Sequence, residues 1–240
     1  MKENNNFLTG IKDGIPIGLG YVSVAFAFGI FATGAGLSVL EAVMISAFNV
    51  TSAGQLAAVP IIAAHGGFLE LGLTQLIINL RYALMSISLS QKCDGSVRVG
   101  DRFLVSFGNT DEVFAVASSK NGSVGRTYLY GLIIVPILGW TLGTLLGAVA
   151  GDILPDAVTN ALGIAIYAML VAVVVPMAKT DVNCALCVLL SIALSCAFYF
   201  IPVLNSIPSG FSIIICATLA SVIFAVLKPV ADEEEVDQNA

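Results

Sequence analysis

Glu41, Glu70, Arg81, Asp111 and Glu112 are the ionisable residues that fall inside otherwise apolar stretches of this chain, and all five lie in its first half. The second half supplies long apolar stretches with no charge inside them. A charge at membrane depth costs several kcal/mol unless it is paired or hydrated, so it marks a pathway or binding site by default. That asymmetry places the chemistry of the chain in its N-terminal half.

The 240 residues are 58% hydrophobic and 11% charged. Soluble domains carry about 25% charged residues. A water-soluble fold of this size could not hide so much apolar surface, so the bilayer must act as solvent. The net charge of −6 comes largely from the tail Ala231–Ala240, which holds Asp232, Glu233, Glu234, Glu235 and Asp237 and no base. That tail reads as a solvated, disordered segment. Nothing is basic enough to suggest nucleic acid, and no cleavable signal peptide is expected. The sequence divides into a polar cytoplasmic N-terminus (1–13), a single membrane transport domain (14–228) and an acidic tail (229–240).

A spanning helix needs about 20 apolar residues. Candidate stretches lie at roughly 15–35, 37–64, 68–91, 103–119, 127–150, 157–178, 183–202 and 210–227. Strand alternation is absent, which excludes a β-barrel. The expected fold is an all-α polytopic membrane protein with six to eight membrane segments. The second stretch is interrupted by Asn49-Val-Thr51-Ser52-Ala-Gly54-Gln55, and the fourth by Gly108-Asn109-Thr110-Asp111-Glu112. Both fit broken or re-entrant helices, which are tolerated only where protein or a water-filled cavity satisfies the backbone. If both turn back, the bases outside the membrane core all fall on one, cytoplasmic side, with both termini there too.

A faint internal repeat relates Pro16-Ile-Gly-Leu-Gly-Tyr21 to Pro136-Ile-Leu-Gly-Trp140, and Val59-Pro60 to Val175-Pro176. Such repeats are common in secondary transporters; Pro and Gly scattered through any membrane helices would look similar. Gly139, Gly143 and Gly147 form a stripe for close helix packing, internal or with a partner subunit. Cys184-x-x-Cys187 has redox spacing but lies on an apolar helix without further ligands, so packing explains it. His65, the one histidine, beside Gly66-Gly67, reads as a helix cap or interfacial residue.

Around Arg81, polar residues form two helical stripes. Gln75, Asn79, Tyr82 and Ser86 share one; Thr74, Arg81 and Ser88 share another. Arg81 needs a carboxylate: Asp111, Glu112 or a substrate. Asn109 or Thr110 would cap a helix, with Glu112 closing a capping box from Asn109; the two acids could equally carry a coupling proton. The Asn49–Gln55 cluster offers hydroxyls, amides and free backbone groups suited to a zwitterionic amino acid, or serves as polar glue between helices. Glu41 and Glu70, near segment ends, read as solvated interfacial charges.

Thr51-Ser-Ala-Gly-Gln55-Leu-Ala, Ile78-Asn79-Leu-Arg81-Tyr82-Ala-Leu-Met-Ser86 and Thr110-Asp111-Glu112, in that order, resemble the AzlC family of branched-chain amino-acid exporters. The resemblance runs from about Gly10 to Lys228. It implies a bacterial inner-membrane exporter of leucine, isoleucine, valine or analogues, working with a small hydrophobic AzlD-type subunit. Gln55, Asn79, Arg81, Asp111 and Glu112 match the family's motif positions. Val50-Thr51-Ser52 stands where many members have Phe-Ala-Gly, which makes this break more polar.

The expected function is therefore ion- or proton-coupled export. Asn49, Thr51, Ser52, Gly54, Gln55, Asn79 and Arg81 would contact substrate. Asp111 and Glu112 would serve coupling or the substrate ammonium. The alternative is a non-transporting membrane scaffold whose buried charges only pair helices. An enzyme is not expected, nor any cofactor or metal: one histidine, no metal-ligand cluster and no clear nucleophile are present.

Overall fold

A computed structural model describes residues 5–151 and 178–227, with 153–155, 157, 168, 171 and 174–176 between them. The chain is all α, and the described residues form ten helices. These are α1 (Phe7–Gly34), α2 (Val39–Phe48), α3 (Ser52–Ala63), α4 (Phe68–Lys92) and α5 (Val99–Phe107). There follow α6 (Asp111–Ser119), α7 (Arg126–Gly151), α8 (Val182–Phe200), α9 (Pro202–Asn205) and α10 (Ser209–Leu227). Most of the expected stretch at 157–178 and the acidic tail at 229–240 lie outside the described residues, as does the surrounding of the Val175-Pro176 echo.

Among the described residues, four helices are long and apolar enough to cross a bilayer: α1, α7, α8 and α10. α4 matches them in length at 25 residues, but its polar stripes lower its hydropathy. α1 begins earlier than the expected boundary at residue 14, because the Asn6 side chain accepts from the Leu8 N–H at 2.9 Å and caps the helix at Phe7.

The backbone of the fold is the pair α1 and α7, which run parallel in close contact. A Cβ on Gly10 would meet the Tyr128 carbonyl, one on Gly139 the Gly18 carbonyl, and one on Gly147 the Phe26 carbonyl. The stripe Gly139, Gly143, Gly147 thus faces α1. Backbone approach at this range is available only to residues without a side chain. The register sets the two repeat motifs beside each other: Tyr21 and Trp140 meet edge-to-face, ring centroids 5.0 Å apart.

Beside this pair lie two re-entrant hairpins, entering from opposite ends. The first is α2–α3. Its two mouths, Leu37–Ala42 and Val59–Ile62, pack together against Phe28 and Ala32 near the end of α1. Its tip, Val50, reaches Ala25, Tyr21 and Trp140 deeper in the fold. The second hairpin is α5–α6. Val105, Val113 and Ala117 pack with Leu89, Val124, Tyr128 and Leu129 at the end where α7 begins. Lys92 Nζ donates to the Ser118 carbonyl there, and Asp101 accepts from the Tyr130 hydroxyl. Neither hairpin crosses, which is the re-entrant alternative of the sequence reading.

Each hairpin breaks where local chemistry competes with the helix. At Asn49–Thr51 the backbone turns extended, and the Thr51 hydroxyl takes the Gly54 N–H at 3.1 Å to start α3. Asn and β-branched residues lower helix propensity at that point. At Gly108–Thr110, Thr110 caps α6 through the Val113 N–H. Gly108 is required by space: a Cβ there would sit 2.8 Å from that of Ile133. Asn109 is not the cap, and Glu112 closes no capping box; it turns toward Tyr21 instead.

The bases Lys12, Lys92, Arg98, Arg102, Lys120 and Arg126 gather at the end where α1 and α7 begin. Lys120 pairs with Asp13 at 2.7 Å. At the opposite end, Glu41 is an exposed acid that closes a capping box with Ser38. The Ser38 hydroxyl and backbone N–H hold its carboxyl below the ordinary glutamate value. Glu70 differs from expectation. It is buried at 7% exposure and accepts from the Gly210 N–H at 2.9 Å. Its carboxylate satisfies the positive N-terminus of α10, a reason for burial that only the packed helix supplies. At the same end, His65 sits at φ 54°, and the N–H groups of His65 and Gly66 return to Ile62 and Ile61. That is a Schellman cap closing α3.

Candidate functional site

The two hairpin tips meet beside α4 and the α1–α7 pair, and the main cavity at the tips opens there. The cavity has a volume of about 350 Å³. Its walls come from α1 (Pro16, Ile17, Tyr21, Val24), the first tip (Val50, Thr51, Ser52), the second tip (Thr110, Asp111, Glu112), Tyr82 and Trp140. Small-molecule sites fall in the range of about 300–1,000 Å³ and are largely apolar with a few convergent polar groups.

Two helix N-termini open into this space. α3 carries no acidic residue in its first turn, whereas α6 carries Asp111 and Glu112. One pole is therefore bare and positive, and the other is already covered by carboxylates. Glu112 is held by the Tyr21 hydroxyl, which also lies 2.7 Å from Thr110 Oγ1. Trp140 is 3% exposed, and its indole N–H has no partner among the described residues. A buried donor without a partner is costly, so this group is available to a ligand.

Arg81 is the partner of Asp111. Its Nη2 lies 2.8 Å from Asp111 Oδ2 and 3.0 Å from the Tyr82 hydroxyl, with the guanidinium carbon 4.8 Å from the Tyr82 ring centroid. Of the alternatives left open by the sequence, the chain resolves this one internally. Arg81 backs the wall of the cavity and does not line it.

A second, smaller cavity of about 150 Å³ adjoins the first, sharing Val50, Thr51, Tyr82 and Thr110 as walls. It receives Asn49, Asn79 and Asn109, along with the C-terminal ends of α2 (Phe48) and α5 (Phe107). A glutamine relay orients two of these amides. Gln75 Nε2 donates to the Gly54 carbonyl at 2.8 Å, which directs Gln75 Oε1 to Asn49 Nδ2 (3.1 Å) and Asn79 Nδ2 (3.2 Å). Asn109 Nδ2 donates to the Ser86 hydroxyl at 3.2 Å. The stripe Gln75, Asn79, Tyr82, Ser86 thus faces the hairpin tips as a unit. The other stripe is divided: Thr74 is buried near Gly210, far along α4 from the Arg81–Asp111 pair.

Thr51, Ser52, Asp111 and Glu112 therefore line the main cavity, and Asn49, Thr51 and Asn79 line the smaller one. Gly54 contributes only its carbonyl, spent on Gln75. Gln55 reaches neither cavity. It is fully buried, and its Nε2 donates to Ser46 Oγ at 2.7 Å, which in turn contacts Thr144 Oγ1 at 2.6 Å. The polar ladder Gln55–Ser46–Thr144 ties the first hairpin to α7. Gln55 lies one turn beyond Thr51 and Ser52 on α3, where Ser46 and Thr144 reach it, and a residue list cannot show which segments converge on it.

Tyr21, Trp140 and Asn109 complete the two cavities, and none was assigned a ligand role from sequence. Their signal was present: Tyr21 and Trp140 end the two repeat motifs, and Asn109 stood among the cap candidates. Away from the membrane-spanning helices, the Tyr130 hydroxyl and the Arg98 backbone N–H hold the Asp101 carboxyl below its ordinary value. The described cysteines are all free, and no group of His, Cys, Asp or Glu able to hold a metal occurs among the described residues.

The sequence profile of the family described as "AzlC protein" matches residues 16–154, more than half of the chain. The chain is 33% identical over 142 residues to "Inner membrane protein YgaZ" of Escherichia coli (strain K12), covering 58% of each. It is 32% identical over 144 residues to an "Uncharacterized membrane protein" of Archaeoglobus fulgidus, covering 60% of this chain and 62% of that one. The match thus spans about three fifths of the length of these relatives. No solved structure matches. The matched segment holds both hairpins, α4 and both cavities; this multi-pass membrane protein belongs to the AzlC family.

Proposed function

We propose that this chain is the large subunit of a secondary exporter of branched-chain amino acids, acting in a bacterial inner membrane with a small hydrophobic AzlD-type subunit. The observation that carries this reading is the polarity of the main cavity. The bare N-terminus of α3 at Ser52 and the unpartnered indole N–H of Trp140 suit a carboxylate. Asp111 and Glu112 suit the ammonium. Pro16, Ile17, Val24 and Val50 give an apolar wall for an aliphatic side chain. A zwitterion with a short branched apolar group has this distribution of charge and apolar surface.

Entry from opposite ends supports alternating access. Each hairpin tip is one gate, and a shift of either changes which side sees the cavity. Arg81 holds Asp111 in place through the ion pair, and the Tyr21 hydroxyl holds Glu112. The basic end then faces the cytoplasm, by the preference of Lys and Arg for that side.

The test is reconstitution of the full chain with its small subunit in liposomes, followed by counterflow of labelled valine. Flux that is competed by leucine and isoleucine supports the reading. No flux under any imposed ion gradient rejects it. Trp140→Phe keeps a smaller aromatic ring and removes the N–H; the expected result is a KM raised about tenfold, the factor that corresponds to about 1.4 kcal/mol.

A further inference from the structure

The two hairpins meet with like poles together. The first turns of α3 and α6 (Ser52, Asp111, Glu112) line the main cavity alone, the C-terminal ends of α2 and α5 line the smaller one alone, and the N-caps Thr51 and Thr110 line both. Helix C-termini carry partial negative charge and unsatisfied carbonyls. Into the same space come the side chains of Asn79 and Asn109, each with an amide oxygen that is buried and has no partner among the described residues. Asn109 is 2% exposed. The orientation at Asn79 is forced: the Gly54 carbonyl can only accept, so Gln75 presents its oxygen to Asn79, which must answer with its N–H. The Asn79 oxygen is left over by that chain of constraints. Thr51 and Thr110 add hydroxyls. No charged side chain of the described residues lines this cavity.

We propose that the smaller cavity is a binding site for a monovalent alkali cation, coordinated by the Asn79 and Asn109 amide oxygens at the joined carbonyl ends of α2 and α5. Neutral oxygen donors in a negative helix-end field suit a singly charged cation, whereas Ca²⁺ and Mg²⁺ sites rely on carboxylates. The site shares Thr51, Tyr82 and Thr110 with the main cavity, so its occupancy fixes both hairpin tips at once. Broken-helix carbonyl ends serve this role for coupling ions in secondary transporters generally. Use of the site for coupling rests on the export reading; cation binding does not.

The experiment uses the purified full chain in detergent, without any amino acid. Thermal unfolding is compared in NaCl, KCl and choline chloride at equal ionic strength. A cation that binds only the folded state raises the midpoint by mass action. The expected result is a saturable rise in Na⁺ or K⁺ over choline. In Asn109→Leu and Asn79→Leu that rise is lost; in Asn79→Ser, which keeps an oxygen, it persists at higher cation concentration. Because Leu variants can fail to fold, isothermal titration of NaCl and KCl into the native chain is run beside them, with heat of binding expected for one. Equal midpoints in all three salts, with no heat, overturn the proposal. So does a midpoint that responds to valine and not to salt, with the response removed by Asn109→Leu, since the cavity would then hold the substrate ammonium. Loss of valine counterflow with the salt response intact would count against export and leave the cation site standing.

Discussion

Arg81, midway along α4, and Asp111, the first residue of α6, close to 2.8 Å and bind the second hairpin tip to the long helix beside it. The pair is about half exposed on the isolated chain, and Tyr82 supports the guanidinium through its ring and its hydroxyl. Removing one partner strands the other at membrane depth, which is the costly case for ion pairs. Asp111→Asn and Arg81→Gln are each expected to cut valine counterflow about tenfold or more, the double variant less than their product. Arg81→Lys keeps the charge and loses the planar fork, so it should behave like a partial loss. Full activity in Arg81→Lys would show that only charge is needed there.

The α1–α7 contact depends on glycine. A methyl group on Gly147 would collide with the Phe26 carbonyl. Gly147→Ala is expected to destabilise the chain by about 1–3 kcal/mol, as overpacking does. Gly72, inside α4, meets nothing within 4 Å. Gly72→Ala is therefore expected to stabilise by about 0.5–1 kcal/mol through helix propensity alone. Thermal melts of the two variants side by side, in one detergent, give opposite signs if the packing is as described.

Gln55 stands in the motif that carries the family likeness, yet its side chain joins the hairpin to α7 through Ser46 and Thr144. Gln55→Ala should lower stability by roughly 1–3 kcal/mol, because buried polar partners lose a hydrogen bond. The KM for valine in the folded fraction should stay within about twofold, a shift under 1 kcal/mol. A large rise in KM with an unchanged melting point would move Gln55 back into the substrate site.

The second hairpin has a topological signature. Residues on either side of it, Gly95 and Ser119, lie at the same end of the molecule, whereas Gly67 lies at the other. In a background with its five cysteines replaced, Gly95→Cys and Ser119→Cys should react with an impermeant thiol reagent from the same side of the membrane. Gly67→Cys should react from the opposite side. Labelling of 95 and 119 from different sides would turn α5–α6 into a crossing segment.

Much of the fold was legible in the residues. Length and apolarity give helices in a bilayer, because the bilayer core accepts no other closed use of backbone hydrogen bonds except a barrel, and strand alternation is absent. Both helix breaks were legible too, since Asn, Gly and Thr compete locally with the helix wherever they sit. The stripe Gln75, Asn79, Tyr82, Ser86 followed from helical periodicity, and it does face one set of partners.

Pairing between segments was a different matter. Glu70 looks like a surface charge in sequence, and its burial follows from the arrival of Gly210, distant in the chain, with an unsatisfied N–H. Gln55 looks like a ligand group until Ser46 and Thr144 converge on it. Tyr21 and Trp140 gain a shared function only through the parallel register of α1 and α7.

The sequence by itself determined that the chain is helical, lives in lipid, and bends at two polar points, because those properties depend on solvent and on neighbours a few residues away. Tertiary structure alone decided which polar groups meet, which are spent on each other and which stay free for a ligand. Those outcomes depend on contacts between segments far apart in the chain, and a side chain's own chemistry does not say which partner will reach it first.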